Sequence, residues 1–170
     1  MAGIRDFREF SFAQPLVERC GRFLGHSTYW KLYAIENYLR VIVHSVLSAQ
    51  VPSPWWNNAV GGTLRERVEV VKKRYAVRPI HTRAGRHNIY YVFLPDLSKI
   101  VLANSNLFRK IIPDIDVWIV KVEGIWIPRN LVGHMNFPNQ ADRRRIDNLY
   151  LELSALMTRL EKTNLPVQVP

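Results

Sequence analysis

The sequence predicts an all-α fold, a bundle of four longer helices with short helices between them. Three observations lead to this prediction. Long segments carry apolar residues at alternating steps of three and four, the spacing that forms one face of a helix. Proline and glycine separate these segments at points where a helix cannot continue. The chain has 170 residues, of which 48% are hydrophobic, and this suits the packed core of a single domain.

The first long helix is predicted over residues 28–49, with Ser27 or Thr28 as its N-cap. Its apolar stripe consists of Leu32, Ile35, Leu39, Ile42 and Val46. Two prolines follow shortly after its end and forbid its continuation. Trp55 and Trp56 come next, in a turn, where we expect the two indole rings to fold back over the core.

The second long helix is predicted to open at Gly61-Gly62-Thr63 and to stop at Arg78-Pro79. Its apolar face is narrow, and its other faces are basic. The segment after it is predicted as a loop over 79–88, an apolar run over 89–94 that fits either a strand or the start of a helix, and short helices over 95–104 and 107–112.

The third long helix is predicted to begin at Pro113-Asp114 and to run towards Asn136, with a kink or an unpaired carbonyl caused by Pro128. A turn leads to the last helix, predicted over 141–162. We therefore expect an N-terminal extension or short helix at 1–27, one helical domain at 28–162 and a frayed tail at 163–170.

The charge of the chain is strongly positive and unevenly placed. It carries 24 Lys+Arg against 14 Asp+Glu, a formal charge of +10. Segment 65–87 holds eight basic residues against two acidic ones, and a second basic cluster occupies 143–145. Cation density of this kind suits phosphate binding, whereas a solvated helix face followed by a mobile loop explains it equally well. The candidate RNA-binding residues are Arg65, Arg67, Lys72, Lys73, Arg74, Arg78, Arg83, Arg86, Arg143 and Arg144.

Several classes of protein are excluded or disfavoured by the sequence. Cys20 is the only cysteine, so an intrachain disulfide and a multi-cysteine zinc site cannot form. The glycine-rich nucleotide loops, the paired-histidine zinc motif and the serine nucleophile elbow are not found. We expect neither a metal nor a cofactor. Because no apolar run approaches the roughly 18 residues of a membrane span, we expect a cytoplasmic protein without membrane contact.

One segment carries residues suited to chemistry on RNA. Residues 127–136 read Ile-Pro-Arg-Asn-Leu-Val-Gly-His-Met-Asn. The guanidinium of Arg129 offers a permanently charged fork for a phosphate, and a histidine such as His134 can exchange a proton near neutral pH. Together, with Asn130 steadying either one, they could cut RNA by drawing the proton from a ribose 2′-hydroxyl. Alternatively, Arg129 and His134 simply bond the carbonyls at a helix end.

The order of these features resembles the HEPN family. Arg129-Asn130-x-x-x-His134 fits the R-x4–6-H motif of HEPN domains, including the polar residue that this family favours after the arginine. The other parts of the resemblance are Glu36-Asn37-Tyr38-Leu39-Arg40 on the first helix, Trp55-Trp56 at its turn, Pro95-Asp96-Leu97 before the middle helices, and Arg145-Ile146-Asp147 on the last helix. The resemblance covers roughly residues 28–162.

This resemblance implies a HEPN-like bundle that forms a homodimer, with two Arg/His motifs lining one shared cleft. Many HEPN domains are metal-independent endoribonucleases of toxin–antitoxin, CRISPR or phage-defence systems, and they leave a 2′,3′-cyclic phosphate. The implied partners are RNA, often tRNA, and an antitoxin or another defence-system protein. One branch carries a tyrosine two places after the histidine, where this chain has Asn136.

The resemblance also assigns roles to single residues. His134 is the implied acid and base, Arg129 binds the phosphate and stabilises the transition state, and Asn130 is a polar support. Glu36 has a supporting role through a pair with Arg129 or Arg40. An i,i+4 pair with Arg40 explains Glu36 without any chemistry.

Two other functions stay open at this stage. Some HEPN domains bind RNA or dimerise without cutting, and such a module would bind through segment 65–87 without needing His134. An adaptor that docks a protein through Trp55 and Trp56 is the third reading, although paired tryptophans in a turn more often cover a core.

Overall fold

The computed structural model describes residues 5–78 and 80–170, and every regular element in them is helical, which confirms the all-α prediction. The α-helices are α1 (Gln14–Leu24), α2 (Trp30–Gln50), α3 (Trp55–Ala59), α4 (Gly62–Ala76), α5 (Leu94–Ala103), α6 (Ser105–Arg109), α7 (Ile115–Gly124), α8 (Trp126–Gly133) and α9 (Gln140–Leu160). Segment 89–94, which fitted a strand or a helix start, contains a 3₁₀ turn over Asn88–Tyr91 and the start of α5.

Helix α2 is the central element of the bundle. It packs along α9 and also contacts α5, α6 and α3. Of its predicted apolar stripe, Leu32, Ile35, Ile42 and Val46 are buried, whereas Leu39 is only partly buried. Val43 and Leu47, outside that stripe, are inaccessible to solvent as well. Ile146 and Leu153 of α9 are equally buried. Burial of each such side chain contributes about 1.5–3 kcal/mol, so the α2–α9 contact is the main support of the fold.

The N-terminal end of the first long helix differs from the prediction. Helix α1 continues into α2 through a π-helical turn over Gly25–Tyr29. Neither Ser27 nor Thr28 is an N-cap, because both lie inside this π-helical turn. The hydroxyl of Ser27 donates to the carbonyl of Phe23 at 2.7 Å, one turn back. The predicted helix start at residue 28 is therefore wrong. Serine can cap a helix start, but it can also bond a carbonyl one turn back inside a helix, as Ser27 does.

The predicted third long helix is two helices. Helix α7 ends at Gly124, and α8 starts after Ile125, which lies outside helical geometry with φ −98° and ψ 0°. Pro128 is the third residue of α8, in the first turn, where a backbone N–H has no helical acceptor. Pro128 therefore lies at the start of a helix and not inside one, so the prediction of a single long helix with an internal proline is wrong.

The C-terminal end is more ordered than the sequence suggests. Helix α9 is capped by Asn139, whose side chain accepts from the backbone N–H of Asp142 at 2.9 Å. The tail predicted to fray lies against the bundle, because Gln168 donates its backbone N–H to the hydroxyl of Ser45 on α2 at 2.9 Å. Leu165 and Val167 pack against the core in the same segment.

Trp55 and Trp56 form the expected cover on the core, but they are the first two residues of helix α3 and do not lie in a turn as predicted. Both indoles are 95% buried, and they lie edge to face with ring centres 5.7 Å apart. Little of either ring remains for a partner to contact, so the adaptor reading loses the surface on which it depended.

Candidate functional site

A groove of about 700 Å³ lies beside the Arg/His motif. One wall is the N-terminal half of α2, another is the loop Thr82–Gly85, and the third is the C-terminal end of α8 with Met135. We call it the α2–α8 groove. Its charged lining residues are Glu36, Arg40, Arg83 and Arg129, so three cations face one anion.

Glu36 bridges two of these cations. Its Oε1 accepts from Nε of Arg129 at 2.6 Å, and its Oε2 accepts from Nη2 of Arg40 at 3.0 Å. The side chains of Glu36 and Arg40 are each only 13% exposed. Both pairings anticipated for Glu36 are therefore present at once. A carboxylate shared between two guanidinium groups in a partly buried site fixes both side chains against the groove wall.

Arg129 keeps part of its fork available. Its Nε is used by Glu36, and its Nη1 lies 3.4 Å from the side-chain oxygen of Asn130, near the outer limit for a hydrogen bond. Within the described chain its Nη2 makes no hydrogen bond to protein. A guanidinium anchored through Nε and open at its far end is oriented to meet a phosphate oxygen.

The end of α8 is closed by a Schellman motif. The backbone N–H of Asn136 donates to the carbonyl of Leu131 at 2.8 Å, and that of Met135 donates to Val132 at 3.0 Å. Met135 has φ 59°, the left-handed conformation that glycine usually supplies at this position. His134 is the last residue before this turn, at the C-cap.

The imidazole of His134 is exposed and is not used for capping. The carbonyls at the end of α8 are satisfied by backbone N–H groups, and within the described residues no hydrogen bond reaches the ring of His134. The alternative in which the motif only bonds helix carbonyls therefore lacks support. His134 does not itself line the α2–α8 groove, although its neighbours Gly133 and Met135 do.

The basic loop reaches the groove through a close backbone contact. The backbone of Gly85 packs against the ring of Tyr90. A Cβ added at residue 85 would lie 2.9 Å from Cγ of that ring and nearer still to Cδ2. The hydroxyl of Tyr91 donates to the carbonyl of Ala84 at 3.4 Å. These contacts hold Arg83 at the groove, and only glycine fits at position 85.

The far end of the same loop is anchored in an aromatic cluster. The ring of His87 stacks on Trp55 at 5.0 Å and lies edge to face with His44 at 4.9 Å. Nδ1 of His87 accepts from the backbone N–H of Ile89, and Nδ1 of His44 accepts from the indole of Trp55. Burial lowers the pKa of His87 to about 4, helped by the charges of His44 and Lys72; burial also lowers the pKa of His44.

The ten candidate RNA-binding residues are not gathered in one place. Of these, Arg83 alone lines the α2–α8 groove in the described chain. Arg67 pairs with the buried carboxylate of Asp96, and Lys72 is held by Glu69 and Asn88. Arg65 is partly buried, and Arg143 lies over the rings of Phe23 and Phe137 at 5.3 Å from each. The remaining five, Lys73, Arg74, Arg78, Arg86 and Arg144, are exposed.

Sequence reasoning missed the aromatic wall of the groove. Tyr29 and Tyr33 line it on the same side as Glu36 and Arg40. The signal was readable, because these four residues step by four, three and four along one helix face.

The described residues contain neither a membrane-spanning helix nor a metal-ligand cluster. No helix there is both long enough and apolar enough to cross a bilayer. Outside residues 1–4 and 79, no three His, Cys, Asp or Glu side chains converge as metal ligands would.

Comparisons of the chain with protein-family models, curated proteins and solved structures found no match.

Proposed function

We propose that this protein is a metal-independent endoribonuclease of the HEPN type, acting in a toxin–antitoxin or phage-defence system. The observation that carries the proposal is the anchoring of Arg129 by Glu36 at the groove, five residues before an exposed imidazole that forms no hydrogen bond within residues 5–78 and 80–170. A fixed phosphate-binding cation and an available acid–base group are the two parts that RNA transesterification needs.

The proposed reaction uses the RNA's own nucleophile. His134 accepts the proton of a ribose 2′-hydroxyl, the 2′-oxygen attacks the adjacent phosphorus, and the bond from phosphorus to the 5′-oxygen breaks. The products are a 2′,3′-cyclic phosphate and a 5′-hydroxyl, whose proton comes from a protonated imidazole or from water. Arg129 stabilises the charge that builds up on the phosphate oxygens. Asn130 contacts Arg129 and is assigned a supporting role, as is Glu36.

The proposal includes a homodimer with a shared cleft. His134 lies beside the groove and not in it, so a second copy that brings its own motif to the same cleft would complete the site. Exposed apolar side chains flank the motif and support such an interface: Trp126, Ile127 and Met135 are all exposed. An antitoxin or another defence-system protein is the further partner proposed.

The test is a cleavage assay with total cellular RNA in excess EDTA. The wild-type chain is compared with His134→Ala, Arg129→Ala and the matched control His26→Ala, which removes an exposed histidine far from the motif in sequence. We expect cleavage by the wild type and the control, with cyclic phosphate ends, and a loss of at least about 100-fold in the two motif variants. Equal cleavage by all four proteins would locate the activity elsewhere or in a contaminant.

The second candidate function is a non-catalytic RNA-binding or dimerisation module. The cations exposed on α4 and its following loop favour it. It predicts salt-sensitive RNA binding without cleavage and with no effect of His134→Ala. Binding measured beside the cleavage assay separates the two functions.

A further inference from the structure

Two tyrosines line the α2–α8 groove, and the contacts of their side chains within the described residues do not show a role in stabilising the fold. Tyr33 is 69% exposed and Tyr29 is 54% exposed. Among the described residues, neither ring pairs with another aromatic ring, and neither hydroxyl makes a hydrogen bond. Large aromatic surface left in water beside a charged groove costs solvation free energy that a bound ligand would recover.

The neighbouring aromatic residue shows the contrast. Trp30 lies between the two tyrosines in sequence, yet its ring packs edge to face on Tyr150 at 4.8 Å. Its indole N–H donates to the carbonyl of His26 at 2.9 Å. Trp30 therefore serves the fold, whereas Tyr29 and Tyr33 are turned to the groove wall without a partner.

The tyrosines lie in register with the charged pair. Tyr33 is three residues before Glu36 on α2, about 4.5 Å along the helix axis, and Glu36 holds Arg129. Arg40 is one further turn along the same face. A flat aromatic surface thus adjoins a row of guanidinium groups, the combination with which proteins hold unpaired nucleic acid.

We propose that Tyr29 and Tyr33 form a base-stacking platform, so that the α2–α8 groove takes unpaired RNA whose phosphates follow Arg129 and Arg83, while Arg40 adds positive charge from the groove wall. The proposal rests on the proposed function, since it assigns the RNA to the same groove. Bases inside a duplex cannot stack on the platform, because their neighbours cover both of their faces. The excess of three arginines over one glutamate favours a polyanion over a peptide of mixed charge.

The experiment measures stacking and affinity without cleavage. A single-stranded RNA of about ten nucleotides, fully 2′-fluoro substituted so that it lacks the attacking hydroxyl, carries one 2-aminopurine. Fluorescence anisotropy of an end label gives the affinity, and quenching of 2-aminopurine reports stacking. The proteins are the wild type, Tyr33→Ala, Tyr33→Phe, Tyr29→Ala and the control Phe12→Ala, which removes an exposed ring that does not line the groove.

We expect the wild type to bind the single strand and quench it, and a duplex of equal length to bind at least about tenfold more weakly. Tyr33→Ala should lose about 5- to 100-fold in affinity together with the quenching. Tyr33→Phe and Phe12→Ala should keep both. Quenching by Tyr33→Ala equal to that of the wild type, or equal affinity for the duplex, overturns the platform.

Two further outcomes separate this proposal from its neighbours. If the tyrosine variants change the oligomeric state in light scattering but not RNA affinity, the tyrosines belong to a protein interface and the platform is wrong. If native RNA is not cleaved by the wild type, yet quenching depends on Tyr33, the platform stands and the nuclease proposal fails.

Discussion

Glu36 on α2 and Arg129 on α8 lie 93 residues apart in the sequence and are joined by an ion pair of 2.6 Å. The same carboxylate holds Arg40 at 3.0 Å, so a single anion balances two cations at the groove wall. This relationship fixes the one cation of the Arg/His motif against the central helix of the bundle. Its removal should therefore affect both stability and RNA chemistry.

Glu36→Gln should lower the free energy of unfolding by about 1–3 kcal/mol. The variant leaves two partly buried guanidinium groups next to each other without a counter-charge. Urea unfolding measures the change. The matched control is Glu152→Gln, which breaks a more exposed pair with Lys121 and should cost at most about 1 kcal/mol. A double-mutant cycle with Arg129→Gln should give coupling; additive effects would mean that the pair contributes nothing.

The helices with a clear apolar repeat could be predicted from the sequence, whereas the boundary between α7 and α8 was missed. Helix α9 buries the apolar positions that define it in the sequence, and α2 does so for all but Leu39. Helix α4 follows its predicted pattern less closely, since Val68 is its one buried residue. Two residues signalled the split between α7 and α8: glycine is common at a helix end, as at Gly124, and proline is common in the first turn of a helix, as at Pro128. The proline was interpreted as a kink because the apolar pattern continues across the break.

The candidate site was predictable in part. The Arg129–Glu36 pair could be anticipated because each residue sits on a predicted helix, one within the motif and one at the matching position of the resemblance. The groove could not, since it needs the loop Thr82–Gly85 to return to α2, and that path is set by the contact of Gly85 with Tyr90. Gly85 and Tyr90 are only five residues apart, but the contact between this loop and α2 is long-range, and local sequence does not encode it.

Met135→Gly should raise the free energy of unfolding by about 0.5–1 kcal/mol. Met135 has φ 59°, which costs a residue with a Cβ about 1–2 kcal/mol, and glycine removes this cost. Part of the gain is offset because glycine also raises the conformational entropy of the unfolded chain. Its side chain is 81% exposed, so little packing is lost. Met135→Ala is the control, because it removes the side chain and keeps the strain; its stability should be unchanged. A destabilised Met135→Gly would show that the side chain, not the backbone, matters here.

Acidification should destabilise the fold through His87. Its folded pKa is about 4, below the usual unfolded value near 6.5, so the folded state binds the proton less well. The stabilisation is complete above pH 6.5 and is lost as the pH falls towards 4. The shift corresponds to about 3 kcal/mol, which we reduce to about 1–2 kcal/mol because the ring is partly exposed to solvent.

The His87→Asn variant isolates this effect. The amide oxygen of asparagine can still accept from Ile89 but does not titrate between pH 7 and pH 4. Urea unfolding at several pH values should show a lower stability at pH 7 and a smaller loss on acidification. His26→Asn, which changes an exposed histidine, should keep the wild-type slope. A wild-type slope in His87→Asn would place the acid sensitivity in other groups.

Gly85→Ala should weaken RNA binding while the bundle stays folded. The added Cβ meets the ring of Tyr90 and forces the loop, with Arg83, away from the groove. We expect a loss of affinity of about fivefold or more, and faster proteolysis within the loop. Gly62→Ala is the control, because a Cβ there meets no atom within 4 Å. Unchanged binding by Gly85→Ala would mean that the loop position is not needed.

Arg83→Gln and Arg74→Gln should separate binding in the groove from binding along the whole basic strip. Arg83 lines the groove, whereas Arg74 is exposed on α4 and does not. If RNA lies in the groove, Arg83→Gln should lower the affinity for a single strand and reduce the salt slope of log K by about 0.7, the value for one lost phosphate contact. Arg74→Gln should leave that slope unchanged. Equal effects of the two variants would instead assign binding to diffuse attraction by segment 65–87, which is the behaviour of the non-catalytic module.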